Sequence, residues 1–340
     1  MNTANEAFEA LYNTATCPNP IKQVKCAMML KGLVIRGSHN IIYVRVEDEN
    51  RQSRELECRI KGKILKGCDN AYNPLAPGDF VTVEYQENSG SAMILSLEKR
   101  RNVFCRFNQK GAASQLLAAN IDFVLCICTP LSPPFRPRFI DRVLLQADSA
   151  GITPLVICNK IDLYDFDPDV EERLDDFCRI GYKVLRVSAK TGEGLDELYR
   201  KIKGKTSALT GQSGVGKSSL VNALQPGLNI REGSLNEKYD RGVHTTTMSF
   251  MVELADKTRV IDTPGVRRFI PDGIQKEELI IHMREFAPLA GKCSFGMSCS
   301  HRTEPGCKIM EAVHAGVIHE DRYESFLRMI ECIEGKYNDD

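Results

Sequence analysis

The sequence predicts three structural regions: an N-terminal β-barrel of the OB type, a central α/β domain, and a C-terminal helical region interrupted by a cysteine-rich loop. Three observations predict them. Short alternating and β-branched runs fill residues 21–105. Continuous apolar runs alternate with helical spacing from residue 121 onward. Cysteine, glycine and serine are concentrated in residues 291–307. The length of 340 residues allows about two or three domains.

Composition and charge exclude several classes of protein. A hydrophobic fraction of 42% with 26% charged residues is typical of a globular protein and not of a disordered tail or a collagen-like fibre. No run approaches the roughly 18 apolar residues of a membrane helix, and residues 1–20 lack a signal-peptide pattern, so we expect a cytoplasmic protein with no membrane partner. The 13 cysteines are spread along the chain, and most are expected to be free thiols.

The first two segments are interpreted as an arm and a barrel. Residues 1–20 carry two acids and no base and form the arm. The barrel, residues 21–105, carries 14 basic and 10 acidic residues, a local charge of +4 that the other residues cancel. This excess indicates an RNA-binding domain, whereas the alternative is that basic loops only keep the barrel soluble. Its five predicted strands are residues 31–36, 40–46, 55–60, 79–85 and 92–97.

Residues 106–274 are predicted to form the α/β domain, and residues 275–340 a mostly helical one. The expected strands of the α/β domain are residues 121–128, 154–158, 183–187, 207–210, 248–254 and 258–261. The expected helices are residues 138–149, 168–180, 195–202 and 217–224.

A phosphate-binding loop is predicted after the strand at residues 207–210. The sequence GQSGVGKS at residues 211–218 matches G-x-x-x-x-G-K-[ST] between a strand and a helix. In such a loop the backbone N–H groups face phosphate oxygens, Lys217 bridges the β and γ phosphates, and the Ser218 hydroxyl ligates Mg²⁺. The alternative is a chance glycine-rich turn. The other residues expected to line the site are Gly211, Gln212, Ser213, Gly214, Val215, Gly216 and Ser219.

The DTPG motif at residues 262–265 follows another predicted strand. Asp262 at a strand end suits the outer coordination shell of Mg²⁺, and the Gly265 N–H suits the γ-phosphate. By itself the motif is typical of an ordinary turn. Together with the predicted phosphate loop it indicates a switch segment.

Two further motifs indicate guanine rather than adenine. NKID at residues 159–162 and SAK at residues 188–190 each end a strand, so they share the rim of the phosphate loop. The Asp162 carboxylate can accept hydrogen bonds from guanine N1–H and the 2-amino group, which adenine lacks. By itself, Asp162 is typical of a helix N-cap, and SAK is a weak signal because this tripeptide often occurs by chance. The remaining expected contacts are Asn159 at the acceptor edge, Lys160 over the ring and sugar, the Ala189 N–H at O6, and the motif residues Ile161, Ser188 and Lys190.

Four residues with metal-ligand chemistry lie within 15 residues of the C-terminal region, namely Cys293, Cys299, His301 and Cys307. A Cys₃His set predicts one structural Zn²⁺ per chain in a closed tetrahedral site, which leaves no position for catalysis. The alternative is a group of incidental thiols in a cysteine-rich chain.

The order of the motifs indicates a circular permutation. Most GTPases of this class begin with the phosphate loop, whereas here NKID and SAK precede it, and DTPG then needs a support on its C-terminal side. Over nearly its whole length the chain resembles the RsgA (YjeQ) family of circularly permuted GTPases. The expected fold is therefore multidomain, with an OB-type barrel, a permuted α/β P-loop GTPase domain and a C-terminal α-helical zinc-binding domain.

The resemblance implies a function. It implies GTP hydrolysis stimulated by the small ribosomal subunit during late maturation of that subunit, with the barrel and the C-terminal tail binding its rRNA. The implied ligands are GTP, GDP and Mg²⁺. We expect the protein to be a monomer. It implies Thr245 or Thr246 as the Mg²⁺-contacting switch threonine. His244 becomes a candidate for positioning the attacking water, and the alternative is a loop histidine without a role.

One further residue agrees with the resemblance, and one spacing departs from it. Val266 stands where many GTPases carry a water-orienting glutamine, and the resemblance implies a hydrophobic residue there, hence slow intrinsic turnover that depends on a partner. The family usually has four residues between its first two cysteines, and this chain has five. Two other functions remain open: a GTP-gated RNA-binding module in which hydrolysis is incidental, and a metal-handling protein that uses GTP to load zinc.

Overall fold

The computed structural model describes residues 27–38, 41–47, 52–61, 71–87, 89–109, 111–163, 165–228, 249–265 and 268–335. The predicted arm at residues 1–20 lies outside the described residues, as do His244, Thr245, Thr246 and Val266.

Five strands close into the N-terminal barrel. They are β1 (Ala27–Ser38), β2 (Ile41–Glu47), β3 (Ser53–Ile60), β4 (Phe80–Gln86) and β5 (Ser91–Leu97). The strands pair in the order β1-β2-β3-β5-β4, and β4 pairs again with β1, which leaves no free edge. Alternation in the sequence places residues such as Val44, Val81 and Ile94 inside, where they are fully buried. The predicted OB-type barrel is confirmed.

A hairpin that the sequence analysis did not predict follows the barrel. It consists of β6 (Val103–Asn108) and β7 (Ala113–Ala119), paired antiparallel. The predicted domain boundary after residue 105 falls inside β6. Apolar and polar residues do not alternate regularly in the sequences of these strands, so the two-residue period that predicts a strand is absent.

The α/β domain has the strands and helices that the sequence predicts. Its sheet order is β10-β9-β8-β11-β13-β12, with β12 antiparallel to β13 and the other pairs parallel. The strands are β8 (Phe123–Cys128), β9 (Thr153–Cys158), β10 (Lys183–Arg186), β11 (Thr206–Gly211), β12 (Phe250–Glu253) and β13 (Arg259–Asp262). The helices are α1 (Pro137–Ser149), α2 (Pro168–Arg179), α3 (Leu195–Ile202) and α4 (Lys217–Leu224).

Helices cover both faces of this sheet. Residues of α1 and α2 share one core with Val124 and Cys126, and residues of α3 and α4 share the other with Leu125 and Ile127. Because the parallel strands end at one edge, the segments after β9, β10, β11 and β13 meet there.

The C-terminal region contains α5 (Lys276–His282), α6 (Lys308–His314) and α7 (Glu320–Ile333). It is joined to α1 through Arg322 of α7, whose guanidinium donates to Asp141 at 2.8 Å and to both carboxylate oxygens of Glu285 at 2.6 and 2.9 Å. Arg322 is only 1% exposed, so this pairing is needed to offset the cost of burying its charge. Among the described helices, none is both long enough and apolar enough to cross a membrane.

The chain beyond the DTPG motif is anchored close to it. Phe269 stacks on Phe104 of β6 with ring centroids 5.6 Å apart and meets Phe139 of α1 edge-on at 6.3 Å. The Gln146 side chain accepts from the Asp272 N–H at 2.7 Å and donates to the Asp272 carbonyl at 3.2 Å. These contacts are the kind of support that the permuted motif order requires.

Candidate functional site

The phosphate loop joins β11 to α4. Glycine is required at several of its positions, either because the backbone is left-handed there or because neighbouring atoms leave no room for a side chain. Gly214 and Gly216 have φ values of 84° and 88°, in the left-handed region that strains other residues. A Cβ atom at Gly211 would lie 2.5 Å from the Ile127 carbonyl oxygen, and one at Gly216 would lie 2.6 Å from Asn159 Nδ2. The loop backbone is therefore held close to its neighbours, with its N–H groups near the start of α4.

The other side chains of the loop differ in burial. Val215 is 1% exposed and packs into the core, so only its backbone can serve a ligand. Gln212, Ser218 and Ser219 are half-buried and Ser213 is exposed. Ser218 is the second residue of α4 and so lies in its first turn.

Lys217 and Asp262 are the charged groups at the centre of this rim. Lys217 Nζ donates to the carbonyls of Gly211 at 3.3 Å and Gln212 at 3.5 Å. Burial lowers the pKa of Lys217 and raises the pKa of Asp262 to about 7, while each charge partly opposes the shift of the other. Within the described part of the chain, Asp262 Oδ1 is buried without a hydrogen bond. A buried carboxylate with an unsatisfied oxygen fits a hard divalent cation such as Mg²⁺.

The DTPG backbone lies against the phosphate loop. A Cβ atom at Gly265 would lie 3.2 Å from Lys217 Nζ and 3.6 Å from Ser213 Cα. Thr263 fixes this approach, because its hydroxyl donates to the Leu209 carbonyl at 2.7 Å. The Gly265 backbone is thus beside the lysine predicted to meet the terminal phosphates.

Asn159 connects the base-reading motifs to the phosphate loop. Its side chain is buried, Nδ2 donates to the Val215 carbonyl at 2.9 Å, and Oδ1 accepts from the Ala189 N–H at 3.1 Å. We predicted that Asn159 and Ala189 face the base, and the structure shows that they also bond to each other. This link was missed because residues 159, 189 and 215 are far apart in sequence.

Lys160 makes a second link. Its ammonium donates to the Gly214 carbonyl at 2.7 Å and to the Ser132 carbonyl at 2.8 Å, from a backbone with a φ of 65°. A non-glycine residue in this region is strained and persists only where surrounding contacts hold it. The loop at residues 129–136, which the sequence analysis left out of the site, therefore belongs to its wall.

Asp162 is held by SAK as the guanine hypothesis requires. Ser188 Oγ donates to Asp162 Oδ1 at 2.6 Å, and Lys190 Nζ lies 3.9 Å from Oδ2. The Ile161 N–H donates to the Val187 carbonyl at 3.3 Å, which ties the two motifs at the backbone. The carboxylate has one defined orientation at the rim, which is the condition for reading a base edge.

The four predicted metal ligands come together in the C-terminal region. The ligand atoms of Cys293, Cys299, His301 and Cys307 all lie within 4.8 Å of one another, and all four residues are buried. Cys293 Sγ and Cys307 Sγ are 3.9 Å apart, and they lie 3.6 and 3.5 Å from His301 Nδ1. Zn–S bonds of about 2.3 Å in a tetrahedron require sulfur–sulfur distances of about 3.8 Å, so the donor set fits Zn²⁺.

Protonation and loop structure agree with this fit. Burial raises the pKa of the Cys299 thiol to about 12, so a cation is needed to hold it as the thiolate. Burial lowers the pKa of His301, which favours the neutral, ligating ring. Gly296, with a φ of 55° and no atom within 4 Å of a Cβ built there, accommodates the fifth residue between the first two cysteines.

Supporting contacts around the ligands were not predicted. Glu304 accepts N–H bonds from Ser300, Arg302 and Thr303. A hydrogen bond with the Ser300 side chain, followed by backbone hydrogen bonds, lowers the pKa of Glu304 to about 2. The Lys308 N–H donates to Cys293 Sγ at 3.3 Å. A single acid between ligands in the sequence was the available signal for Glu304.

Comparisons with known proteins agree with this geometry. A sequence profile described as RsgA GTPase matches residues 97–270. The small ribosomal subunit biogenesis GTPase RsgA of Bacteroides fragilis is 36% identical over 313 residues, covering 91% of this chain and 99% of the relative.

The chain belongs to the RsgA GTPase family. Members of this family are GTP hydrolases, and the crystal structure of YjeQ from Thermotoga maritima matches with a TM-score of 0.69 and 30% identity, over 91% of this chain and 100% of that one. YloQ, described as a circularly permuted GTPase, matches in fold with a TM-score of 0.64 and 24% identity, over 92% and 97%. The predicted fold class, including the permuted order of the RsgA GTPase domain, is confirmed.

Proposed function

We propose that this protein hydrolyses GTP to GDP and phosphate in the cytoplasm while bound to the small ribosomal subunit, during late maturation of that subunit. The observation that carries the proposal is near full-length similarity to a relative named for small ribosomal subunit biogenesis. The geometry supports it, because phosphate loop, DTPG, NKID and SAK lie at one sheet edge. We assign rRNA binding to the barrel, with its charge of +4, and to the C-terminal region.

The nucleotide contacts follow from the rim. Backbone N–H groups of residues 211–219 hold the phosphates, and Lys217 neutralises the β and γ oxygens. Ser218 would ligate the Mg²⁺ that accompanies GTP, Asp262 would lie in its outer coordination shell, and the ion would neutralise charge on the transferred phosphoryl group. The Asp162 carboxylate, oriented by Ser188 at 2.6 Å, accepts from guanine N1–H and the 2-amino group.

Hydrolysis itself depends on residues outside the described ranges. We assign the Mg²⁺-contacting switch role to Thr245 or Thr246 and the positioning of water to His244, on the family resemblance. Because Val266 has no group that orients water, unstimulated turnover is expected to be slow.

Zinc is assigned a structural role. Four protein ligands close a tetrahedral site, so Zn²⁺ at Cys293, Cys299, His301 and Cys307 cross-links the loop and leaves no open position for substrate. This geometry disfavours the metal-handling alternative, in which the ion has to exchange readily.

The test is GTP turnover with and without purified small subunits, together with cosedimentation on small and large subunits in GDP and in a non-hydrolysable GTP analogue. We expect stimulation by small subunits only and tighter cosedimentation with the analogue. Nucleotide-dependent binding without stimulation would favour the GTP-gated RNA-binding module. Absence of both effects would contradict the proposal.

A further inference from the structure

β12 connects the barrel to the strand that ends at Asp262. Phe250 of β12 pairs with Asp262 of β13 on one side and with Arg36 of β1 on the other. These three residues are in register across three adjacent strands, each spaced about 4.8 Å from the next. β12 has only four residues, and one of them, Phe250, pairs with both neighbouring strands.

Side chains reinforce the same connection. Arg45 of β2 donates to Glu253 Oε2 at 2.6 Å, and Arg259 Nε of β13 lies 3.6 Å from the same oxygen. Glu253 therefore pairs with one arginine from the barrel and one from the strand that carries Asp262. Arg45 and Glu253 have only 24% and 33% of their side chains exposed, so solvent and salt screen the pair less than a surface pair.

We propose that Glu253 is a positioning residue that couples the barrel to the nucleotide site. With Arg45 it holds β12 between β1 and β13, so that RNA bound to the barrel shifts Asp262 relative to the phosphate loop. Packed sheets transmit such displacements because their interiors have few voids. By linkage, RNA on the barrel and nucleotide at the rim must then change each other's binding affinity by the same factor. That the barrel's partner is RNA rests on the proposed function, whereas the connection between the barrel and Asp262 rests only on the contacts described above.

Hydrogen exchange of the full-length protein tests the connection without ribosomes. We expect amides of β1 and β2 to exchange at least about twofold differently in GDP and in a non-hydrolysable GTP analogue. Glu253→Gln keeps the shape of the side chain and should abolish that difference, whereas Glu253→Asp keeps the carboxylate near Arg45 and Arg259 and should retain most of it. Identical exchange of the wild-type barrel in both nucleotides, or an unchanged difference in Glu253→Gln, would overturn the inference.

Turnover with small subunits provides a second test. In Glu253→Gln we expect unstimulated turnover within about twofold of wild type, a smaller difference in cosedimentation between GDP and the GTP analogue, and stimulation lower by about tenfold. Glu253→Asp, which keeps the carboxylate, should retain most of the stimulation. The matched control is Glu84→Gln, which removes an exposed ion pair with Lys61 at 3.1 Å within the barrel domain and should leave the coupling unchanged. Full stimulation of Glu253→Gln by small subunits would contradict the coupling. A wild-type protein that small subunits do not stimulate would contradict the proposed function. In that case the hydrogen-exchange experiment would still decide whether the coupling exists.

Discussion

The hydrogen bond from Ser188 Oγ to Asp162 Oδ1, 2.6 Å long, orients the carboxylate assigned to guanine. Around it, single side chains each serve two purposes. Asn159 and Lys160 belong to the base-reading motif and also bond to carbonyls of the phosphate loop. At the residue scale, side chains proposed to read the base therefore also hold the shape of the phosphate loop.

Asp162→Asn should shift nucleotide preference from guanine toward xanthine. The asparagine amide presents a donor to the donors of guanine, whereas xanthine has a carbonyl at that position. We expect GDP affinity to fall by about two orders of magnitude or more. Binding of GDP and XDP measures the change, with Asp175→Asn, on the exposed face of α2, as control. Unchanged preference would mean that another residue reads the base.

Asp262→Asn should stabilise the protein at neutral pH in buffer without nucleotide and divalent cations. The folded carboxyl has a pKa raised to about 7 by burial, from an ordinary value of 3.8. As the pH rises, the unfolded chain loses this proton first, so the contribution to stability is complete below about pH 4 and is lost by about pH 7. The loss is at most about 4 kcal/mol.

Thermal unfolding midpoints of both proteins from pH 4 to pH 8 measure this effect. The variant should match wild type near pH 4 and exceed it near pH 8. Parallel curves across this range would show that the carboxylate is not destabilised by burial.

At the scale of elements, short segments are held by partners from other domains. The DTPG segment lies between the strand β13 and the anchor at Phe269, which contacts both β6 and α1. β12 pairs with strands of two domains, although it has four residues. The hairpin of β6 and β7 was not predicted because apolar and polar residues do not alternate in its sequence. It nevertheless provides Phe104, which packs against the anchor residue Phe269. Irregular connecting elements thus support the switch here.

Gln146→Ala should loosen the segment that follows DTPG. It removes two hydrogen bonds to the backbone of Asp272, each contributing about 1 kcal/mol. We expect faster amide exchange in residues 268–274 and GTP turnover reduced by up to about tenfold. Gln86→Ala, at the end of β4 in the barrel, is the control. Wild-type exchange in residues 268–274 would show that Phe269 alone is a sufficient anchor.

At the scale of the whole molecule, α7 joins the Cys₃His cluster to the α/β domain. On one side Tyr323 donates to the His301 carbonyl at 2.6 Å and Phe326 packs 5.8 Å from the His301 ring. On the other side Arg322 pairs with Asp141 of α1. Loss of the metal should therefore affect more than the loop that holds it.

We expect one zinc ion per purified chain, measured by elemental analysis, and none in Cys307→Ser. Structural zinc sites contribute on the order of 10 kcal/mol of binding free energy, so the variant should unfold at a clearly lower temperature. Cys178→Ser, at an exposed thiol, should keep both zinc and stability. Stoichiometric zinc in Cys307→Ser would remove this residue from the ligand set.

The sequence by itself determined the chemistry. The phosphate loop, NKID, SAK and DTPG motifs and the Cys₃His set are local patterns, because the spacing of a few residues decides which groups a turn presents. The tertiary structure alone decided which of these groups support one another. Asn159 and Val215 are 56 residues apart, Asp141 and Arg322 are 181 apart, and Arg45 and Glu253 are 208 apart. Many arginines and carboxylates are equivalent partners in a sequence of this composition, and only packing brings a particular pair within hydrogen-bonding distance.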